Sequence, residues 1–252
     1  MIQLGPAVGV VVVLYALAGA AVAWLGRTGY QLAVPWATVR AALQLVVLAL
    51  VIGYVAHRPW LAGAFVLLMS AVAAHAAATR VLGAPKEAGG GRRPTVREVL
   101  WCAVPVAVPS LAVVAALLAV GIVRPNGLSV IPVAGIYLGN SMAVTGLAGR
   151  RAHDELRTRH GEVEAALSLG LTVLESRLLV CREAAASALG PSVDQTRTIG
   201  LVTIPGAFVG MVLGGAQPWE AGVMQLFVSA GILALGAVAL VITTLLVAAE
   251  RI

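Results

Sequence analysis

The sequence predicts an all-α fold, a polytopic membrane helix bundle with about seven transmembrane helices, the N-terminus outside and the C-terminus inside. Of its 252 residues, 60% are hydrophobic and only 11% are charged, whereas a soluble domain carries roughly 25% charged residues. Charges are missing from long stretches that approach or exceed the roughly 20 residues a spanning helix needs. Their apolar residues follow a helical or uniform pattern, without the strict alternation of a barrel strand.

Seven spans are predicted from these stretches, at 4–25, 35–56, 60–81, 99–123, 128–149, 199–215 and 218–248. The basic residues between the spans fall 14 on one side and 2 on the other, the two being Arg58 and Arg124. Because Lys and Arg favour the cytoplasmic side, this sorting predicts the stated orientation in the cytoplasmic (inner) membrane. The span at 199–215 reaches only about 25 Å as a helix, and its Pro205-Gly206 pair predicts a break or an incomplete passage.

Residues 150–197 are the only sizeable part outside the spans, so the whole chain, 1–252, is predicted to be one membrane domain with a cytoplasmic helical loop. The loop is too small for an independent catalytic domain. Its pattern predicts two helices, the first ending near Gly170 and the second opening with a capping box from Thr172 to Glu175. Gly190-Pro191 predicts the end of the second helix. A further capping box from Ser192 to Gln195 is predicted to start the helix that leads into the sixth span.

The segment EVEAALSLG, residues 162–170, places small residues and a glycine in the most highly charged part of the chain. One interpretation is an amphipathic hairpin that lies on the membrane face. The other is a docking element beginning at Glu164, in which Ala165 and Ala166 allow another protein's groove to approach closely and Gly170 permits the turn. The residues alone leave both interpretations open.

Five motifs occur in an order that is similar to a known family. They are Arg40-Ala-Ala-Leu-Gln44, Ile131-Pro-Val-Ala-Gly135 with Gly139-Asn140-Ser-Met142, Glu164-Ala-Ala-Leu-Ser-Leu-Gly170, Pro191-Ser-Val-Asp194, and Gly200-Leu-Val-Thr-Ile-Pro205-Gly206. Together they resemble the FetB-type permeases of ABC transporters, a family with members in bacterial iron export and plant aluminium tolerance. The likeness extends from about residue 36 to about residue 248 and is not seen in the loop at 83–98.

The resemblance implies a permease subunit of an ABC exporter that moves iron or another metal. It implies that Glu164, Ala165, Ala166 and Gly170 belong to a coupling helix that seats in a cleft of a separate ABC-type ATPase subunit. The chain itself would then need no cofactor, because ATP and Mg would be bound by the partner. Since such ATPases present two clefts, two copies of the permease, a homodimer, are also implied.

Several other functions find no support in the residues. The chain has no GxxxxGK[ST] phosphate loop, and its single lysine, Lys86, precedes Glu87-Ala. No Ser/His/Asp set and no Cys/His cluster indicates an enzyme or a zinc site. The net charge of +6 fits cytoplasmic loops held against anionic lipid, so no nucleic acid partner is expected. The remaining alternative is a membrane enzyme or a scaffold whose loop recruits a soluble partner without transport.

Six residues are candidates for the translocation pathway or for contact with the loop. Arg40 is a charged residue inside the second predicted span, with Gln44 one turn on; it either snorkels to the surface or contacts substrate or the loop. Asn140 either bonds a neighbouring helix or lines a cavity. Met142 has a thioether that can act as a soft metal ligand, although methionine usually fills space in a core. Pro205-Gly206 marks the predicted break in the sixth span. The charge-free runs behind these spans, the last of which is 221–249, hold no Asp or Glu, so the ligands of any metal stay unknown.

Glycines at GxxxG spacing predict close packing between helices. Gly135 and Gly139 form one such pair in the fifth span, and Gly210 and Gly214 continue a similar series from Gly206 in the sixth. In lipid, this spacing lets helix backbones approach each other. Because these two spans bracket the loop, they are also predicted to carry its motion to the pathway.

Overall fold

The computed structural model describes residues 5–55, 58–83 and 93–252. In these ranges the regular structure is helical, and the β-type pairing is an isolated bridge between Ile199 and Thr203. A 3-10 turn, Ser187–Leu189, joins the seventh helix to the eighth. The α-helices of these ranges are α1 (Pro6–Leu25), α2 (Ala33–Val55), α3 (Pro59–Leu82), α4 (Val96–Ala119), α5 (Gly127–Thr158), α6 (His160–Ser168), α7 (Val173–Ala186), α8 (Gly190–Thr198), α9 (Gly206–Leu213) and α10 (Pro218–Ala248).

Six helices within the described ranges are long and apolar enough to cross a membrane, namely α1 to α5 and α10. The protein is therefore a polytopic membrane helix bundle, as the sequence predicts. The exception is the predicted sixth span, 199–215, which holds only the eight-residue helix α9.

The chain divides into two compact units, Met1–Arg58 and Pro59–Ile252. The first unit is the helix pair α1 and α2, joined by a turn in which Gly29 has a φ of 75°. Gly19 allows the two helices to approach, since a Cβ there would lie 3.1 Å from Cγ1 of Val34. Most side chains of the pair are exposed, as expected of apolar helices that are surrounded by lipid.

Helix α5 is the central helix of the second unit and packs against α3, α4, α7 and α10. Its approach to α3 depends on glycines. A Cβ at Gly135 would lie 3.1 Å from Met69, and one at Gly149 would lie 2.6 Å from Val81. The residue numbers of the contact pairs increase together on the two helices, so α3 and α5 run in the same direction.

Helix α10 also runs parallel to α5. Tyr137 packs on Gly231, where a Cβ would lie 2.5 Å from the phenol oxygen. Further along both helices in the same direction, the hydroxyl of Thr243 donates a hydrogen bond to that of Thr145 at 3.2 Å. The chain between the end of α5 and the start of α10 must therefore return to the side from which α5 began.

Helix α4 runs in the opposite direction. The guanidinium of Arg251, just after α10, lies 5.4 Å from the centre of the Trp101 ring near the start of α4. Within the bundle, the hydroxyls of Ser110 on α4 and Ser141 on α5 are 3.2 Å apart. Among the long helices described in the second unit, α3, α5 and α10 are thus parallel and α4 is antiparallel to them.

The return between α5 and α10 is made by residues 190–217, named here the broken crossing, which contains α8 and α9. Near its start, Ser192 bonds to Asn140, which lies about 20 Å along α5 from that helix's first residue. The broken crossing then leads to Pro218, the first residue of α10. A seventh passage is thus present in the topology, although it is not a continuous helix.

The reason for the break lies in residues 198–205. The carbonyl of Thr198 accepts hydrogen bonds from the N–H groups of residues 201, 202 and 203, which closes a tight turn. Gly200 has a φ of 81°, a conformation that most side chains rarely adopt. Pro205, at the N-cap of α9, has no N–H to continue a helix from the preceding turn.

Basic side chains collect at one end of the second unit. Arg80 is in the last turn of α3, and Nε of Arg150 donates to its carbonyl at 3.3 Å. Arg177 of α7 lies at the same end, beside the end of α10. Arg124 lies at the opposite end, between α4 and α5. By the positive-inside rule, the loop between α5 and the broken crossing is cytoplasmic, as predicted.

Two predicted boundaries in the loop are wrong. Gly190-Pro191 begins α8 instead of ending the preceding helix, because proline is well tolerated in a first helical turn, where its missing N–H has no helical partner. Ser192 lies inside α8 and does not cap it, since its hydroxyl bonds to Asn140 on α5 instead.

Candidate functional site

The predicted docking element is a helical hairpin that continues α5 beyond its apolar part. After Gly149, α5 runs on to Thr158, about 14 Å further. Helix α7 returns alongside this extension, and a hydrogen bond joins Arg151 of α5 to Ser187, which follows α7. Residues 150–189 are named here the cytoplasmic hairpin.

Small and apolar side chains hold the two long arms of the hairpin together. Ala152 and Leu156 on α5 are buried, as are Val180, Cys181 and Ala185 on α7. Ala152 and Leu156 are four residues apart, as are Cys181 and Ala185, so each helix presents an inward face. Burial raises the pKa of the Cys181 thiol, which therefore stays protonated and packs as a small apolar group.

Helix α6 forms the tip of the hairpin, and Arg159 fixes its angle to α5. The Arg159 guanidinium donates to Glu155 on α5 at 3.0 Å and also pairs with Glu162 on α6. The hydrogen bond from Arg159 lowers the pKa of Glu162. The tip thus stays charged at neutral pH, as expected of a segment in water.

The two faces of α6 have different environments. Val163 and Ala166 are 8% and 5% exposed, and α6 packs against α7. Glu164 and Ala165 are exposed, and Leu169, immediately after the helix, is 82% exposed. Of the two alanines predicted to meet a partner, only Ala165 lies on the surface, because Ala166 is used in packing the tip onto α7.

A sharp turn connects the tip to α7. Gly170 has a φ of 91°, which glycine adopts without steric cost. The predicted capping box follows it, with Oε2 of Glu175 accepting from the backbone N–H of Thr172 at 2.9 Å and from its hydroxyl at 2.7 Å. These bonds lower the pKa of Glu175. The start of α7 is therefore well defined, and it sets the position of the tip.

The hairpin is tied to α10 by a side chain that the sequence analysis missed. Nη1 of Arg177 donates to Glu250 at 2.6 Å, and Nη2 donates to the carbonyl of Val247 at 3.3 Å. The Arg177 side chain is only 21% exposed. The last turn of α10 is thus attached directly to α7, and a spacing pattern within either helix could not have shown it.

Inside the bundle, Asn140 joins three segments. Its Nδ2 donates to the carbonyl of Ile232 on α10 at 2.9 Å, and its Oδ1 accepts from the hydroxyl of Ser192 on α8 at 3.0 Å. Of the two alternatives for Asn140, the structure shows the bond to neighbouring helices. The residue links the broken crossing to both parallel helices.

Two further polar pairs in the bundle were not predicted. Ser110 pairs with Ser141, and Thr145 pairs with Thr243, all four side chains being fully buried. Buried hydroxyls need such partners in a membrane interior. Ser141 and Thr145 are four residues apart in an apolar helix, a spacing that could have indicated this face of α5.

A cavity of about 480 Å³ lies between the broken crossing and α10. Pro205, one of the predicted pathway residues, lines it. Gln225 and Ser229 of α10 line it as well, and the sequence analysis overlooked both. None of the described residues around this cavity is charged.

Of the remaining pathway candidates, those in the second unit do not line this cavity. Arg40 and Gln44 are exposed on α2, in the first unit. Met142 is half-buried on α5, and Gly206 is exposed at the start of α9. The described residues contain no cluster of three or more His, Cys, Asp or Glu that could hold a metal ion.

The predicted packing glycines need correction. Gly135 does approach α3, but a Cβ at Gly139 or Gly210 would meet no atom within 4 Å. Gly214 caps α9 and would contact only that helix's own carbonyls. The close approaches of α5 occur instead at other glycines, because spacing alone does not tell which helix face meets a neighbour. They are Gly146 and Gly149 against α3, and Gly231 and Gly236 on α10.

Comparison with known proteins gives one family for nearly the whole chain. The model of the uncharacterised protein family UPF0014 matches residues 3–252. The chain is 30% identical to the UPF0014 membrane protein STAR2 of Oryza sativa subsp. japonica over 97% of its own length and 81% of that protein. It is 30% identical to the UPF0014 membrane protein YjkA of Bacillus subtilis, over 83% of this chain and 80% of that one.

A third relative has a name that states a function. The "Probable iron export permease protein FetB" of Escherichia coli is 32% identical over 102 residues, which are 40% of this chain and 39% of that protein. No solved structure matches the chain. With a family model covering nearly every residue and relatives similar over most of their length, the chain belongs to the UPF0014 family of multi-pass membrane proteins, the family of the FetB-type permeases.

Proposed function

We propose that this chain is the membrane permease subunit of an ABC exporter, driven by a separate ABC-type ATPase that binds the tip of the cytoplasmic hairpin. The observation that carries the proposal is the exposed surface of that tip. Glu164 and Ala165 are exposed, and Leu169 beside them is 82% exposed.

Leu167, in the same helix as Glu164 and Ala165, is 38% exposed, and a group of exposed apolar side chains favours a partner more than a single one does. Burying a leucine side chain stabilises a contact by about 1.5–3 kcal/mol. The small Ala165 would let a groove approach the helix backbone, and Glu164 would add a charge at its rim. A hairpin lying flat on the bilayer would instead turn exposed apolar side chains of α7, such as Leu174 and Leu179, to lipid, and the experiment below separates the two arrangements.

The contacts behind the tip support a mechanical role. Helix α6 packs on α7, and Arg177 of α7 holds the end of α10 through Glu250. Asn140 then connects α10 and α5 to Ser192 in the broken crossing. A displacement of the tip would thus reach the cavity between the broken crossing and α10 through hydrogen-bonded and packed contacts.

The substrate and the assembly are proposed from the family. The name of the relative FetB refers to iron export. A metal, free or chelated, is the substrate proposed for this chain. ATP and Mg would be bound by the ATPase. Because a closed symmetric dimer is the commonest assembly and two ATPase clefts need two tips, the permease is proposed to act as a homodimer.

Co-purification with an ABC-type ATPase encoded by an adjacent reading frame tests this proposal. Leu169→Asp should abolish the ATPase complex while leaving membrane insertion intact. Asp154→Asn, an exposed change on the same hairpin, should leave the complex unchanged and serves as the control. An ATPase that binds both variants equally well would contradict docking at the tip, and binding without stimulated ATP hydrolysis would favour a recruiting scaffold.

A further inference from the structure

A groove of about 500 Å³ runs between α7 of the cytoplasmic hairpin and the last turns of α10. It does not share a lining residue with the cavity at the broken crossing. Most of its wall is apolar, but two side chains of opposite charge lie on the α7 side. It is named here the α7–α10 groove, and the residues that matter below are Glu175, Leu179, Arg182, Val241, Thr244 and Leu245.

The α7–α10 groove lies at the cytoplasmic boundary of the membrane. Thr243, which lies between groove residues of α10, bonds to Thr145 on α5. The next residue of α5, Gly146, packs against Arg80 in the last turn of α3. Arg80 belongs to the basic end of the unit, which the positive-inside rule places in the cytoplasm. The groove is therefore at the depth where apolar helices meet the lipid headgroups.

Helices α7 and α10 run in opposite directions along the groove. Arg177, in the first half of α7, donates to the carbonyl of Val247 near the end of α10. Leu189, which follows α7, lies beside Gly236, where a Cβ would be 2.9 Å from its Cδ1. Because α10 ends on the cytoplasmic side, later residues of α7 lie closer to the membrane interior.

The two charges of the groove therefore have a fixed order across the boundary. Arg182 is nearer the membrane interior and Glu175 nearer the cytoplasm, about 10 Å apart along the helix. Arg182 is exposed and has no ion pair among the described residues, whereas Arg177 pairs with Glu250. Both hydrogen bonds from Thr172 to the Glu175 carboxylate end on Oε2, so Oε1 is available to another donor.

Apolar surface of α10 lies beside the arginine and continues into the membrane. Val238, Val241 and Leu245 are exposed. They are three and four residues apart, so they form one stripe along the helix. From the cytoplasm to the membrane interior, the groove thus presents a carboxylate, a guanidinium and an apolar surface.

We propose that the α7–α10 groove binds one phospholipid of the cytoplasmic leaflet that has an ethanolamine headgroup. The phosphate accepts hydrogen bonds from Arg182, the ammonium donates to Glu175, and an acyl chain lies along the stripe of α10. A phospholipid carries its ammonium, phosphate and chains in this same order. The proposal does not depend on the ATPase or on the transported substrate.

The pair of opposite charges selects this headgroup over the other common ones. A guanidinium binds phosphate through paired hydrogen bonds, so every phospholipid satisfies Arg182. A glycerol headgroup leaves the lipid with a net negative charge, which Glu175 repels. A choline headgroup has no N–H to donate to the carboxylate. Only the ethanolamine ammonium both offsets the charge of Glu175 and donates a hydrogen bond to it.

A lipid bound in this way would contact both helices of the junction. The bond from Arg177 to Glu250 attaches α7 to the last turn of α10, and the groove opens between the same two helices. The phosphate and the chain would add a second connection, from Arg182 on α7 to Val241 on α10. The cytoplasmic hairpin would then be held to the bundle in part by lipid.

Native mass spectrometry of the full-length permease in detergent tests the proposal. Dioleoyl phosphatidylethanolamine, phosphatidylcholine and phosphatidylglycerol are titrated separately. The ethanolamine lipid should fill a single tight site and bind roughly fivefold more tightly than either of the others. Arg182→Gln should weaken its binding by a similar factor. Arg157→Gln is the control, because Arg157 is exposed on the same hairpin but does not line the groove.

Two further substitutions separate the headgroup from the acyl chain. Glu175→Gln should remove the preference for ethanolamine and still allow α7 to start normally, because glutamine also serves in a capping box. Val241→Trp should fill the groove and abolish tight binding of all three lipids. Val223→Trp should change nothing, because Val223 is exposed on the same helix outside the groove.

Each contrary result overturns a stated part of the proposal. Equal affinity for the three lipids would show ordinary surrounding lipid and overturn the headgroup assignment. Tighter binding of phosphatidylglycerol would overturn the role of Glu175. Unchanged binding in both Arg182→Gln and Val241→Trp would place the lipid elsewhere on the protein. A lipid-free dimer that Val241→Trp disrupts would show that a second copy of the chain covers the groove instead.

Discussion

The hydroxyl of Ser192 donates a hydrogen bond to Oδ1 of Asn140 at 3.0 Å, and the same amide donates from Nδ2 to the carbonyl of Ile232 at 2.9 Å. One side chain thereby fixes the start of the broken crossing against two parallel helices. The bond lies between the cytoplasmic hairpin and the cavity, so it should be important for both stability and coupling.

Removing this connection should destabilise the bundle by a modest, non-additive amount. Asn140→Leu should lower the free energy of unfolding in detergent by about 1–2 kcal/mol, and Ser192→Ala by less, since interhelical hydrogen bonds in membranes contribute about 0.6–1.7 kcal/mol. In a double-mutant cycle, the two losses should sum to more than the loss in the double variant. Strict additivity would show that the two side chains do not interact.

Close packing at Gly149 gives a second prediction. Gly149→Ala should destabilise the bundle by about 1–3 kcal/mol, because the new methyl would lie 2.6 Å from the branched side chain of Val81. Gly210→Ala is the control, and it should be neutral or slightly stabilising because it meets no atom within 4 Å and alanine favours helix. Thermal unfolding in detergent measures both, and equal losses would contradict the assigned contacts.

The link between α7 and α10 gives a third prediction. Arg177→Gln should reduce stimulation of the partner ATPase severalfold without preventing its binding, because the tip is intact but its connection to Glu250 is lost. The exchange of the two residues, Arg177→Glu with Glu250→Arg, should restore part of the stimulation. If Arg177→Gln leaves ATP turnover unchanged, the link does not transmit motion.

The capping box at the start of α7 predicts a dependence on pH. Since the pKa of Glu175 is lower in the folded chain, its capping contribution is complete above the ordinary glutamate pKa of about 4.3. It should be lost as the pH falls through the lowered value, when the carboxylate is protonated. Hydrogen exchange of the first turn of α7, corrected for its intrinsic pH dependence, should show this loss, and Glu175→Gln should remove it.

The sequence predicts most helices correctly for a simple reason. Long gaps between charges are imposed by the hydrocarbon interior, so they locate α1 to α5 and α10 without any knowledge of their contacts. The capping box at Thr172 is equally local, because both partners lie within one turn. Features that depend only on residues close together in the chain could therefore be predicted from the sequence.

The features that were missed depend on contacts between distant residues. Arg177 is one of many arginines in the loop until α10 is placed beside it, and Gly210 looks like Gly149 until the neighbouring helices are known. The break before Pro205 was anticipated from its composition, but the turn at Thr198 depends on the φ of Gly200. Gln225 and Ser229 are polar residues four apart in an apolar helix, and this spacing could have indicated a polar position on one face of α10.

The central claim is that the tip of the cytoplasmic hairpin is gripped by an ATPase, and site-specific photo-crosslinking tests it most directly. A benzophenone amino acid replaces the exposed Ala165 in one variant and the exposed Asp154 in another, each expressed together with the adjacent ATPase. The account predicts a covalent adduct with the ATPase from position 165 and none from position 154. Adducts from position 165 with lipid or with this chain alone would contradict it.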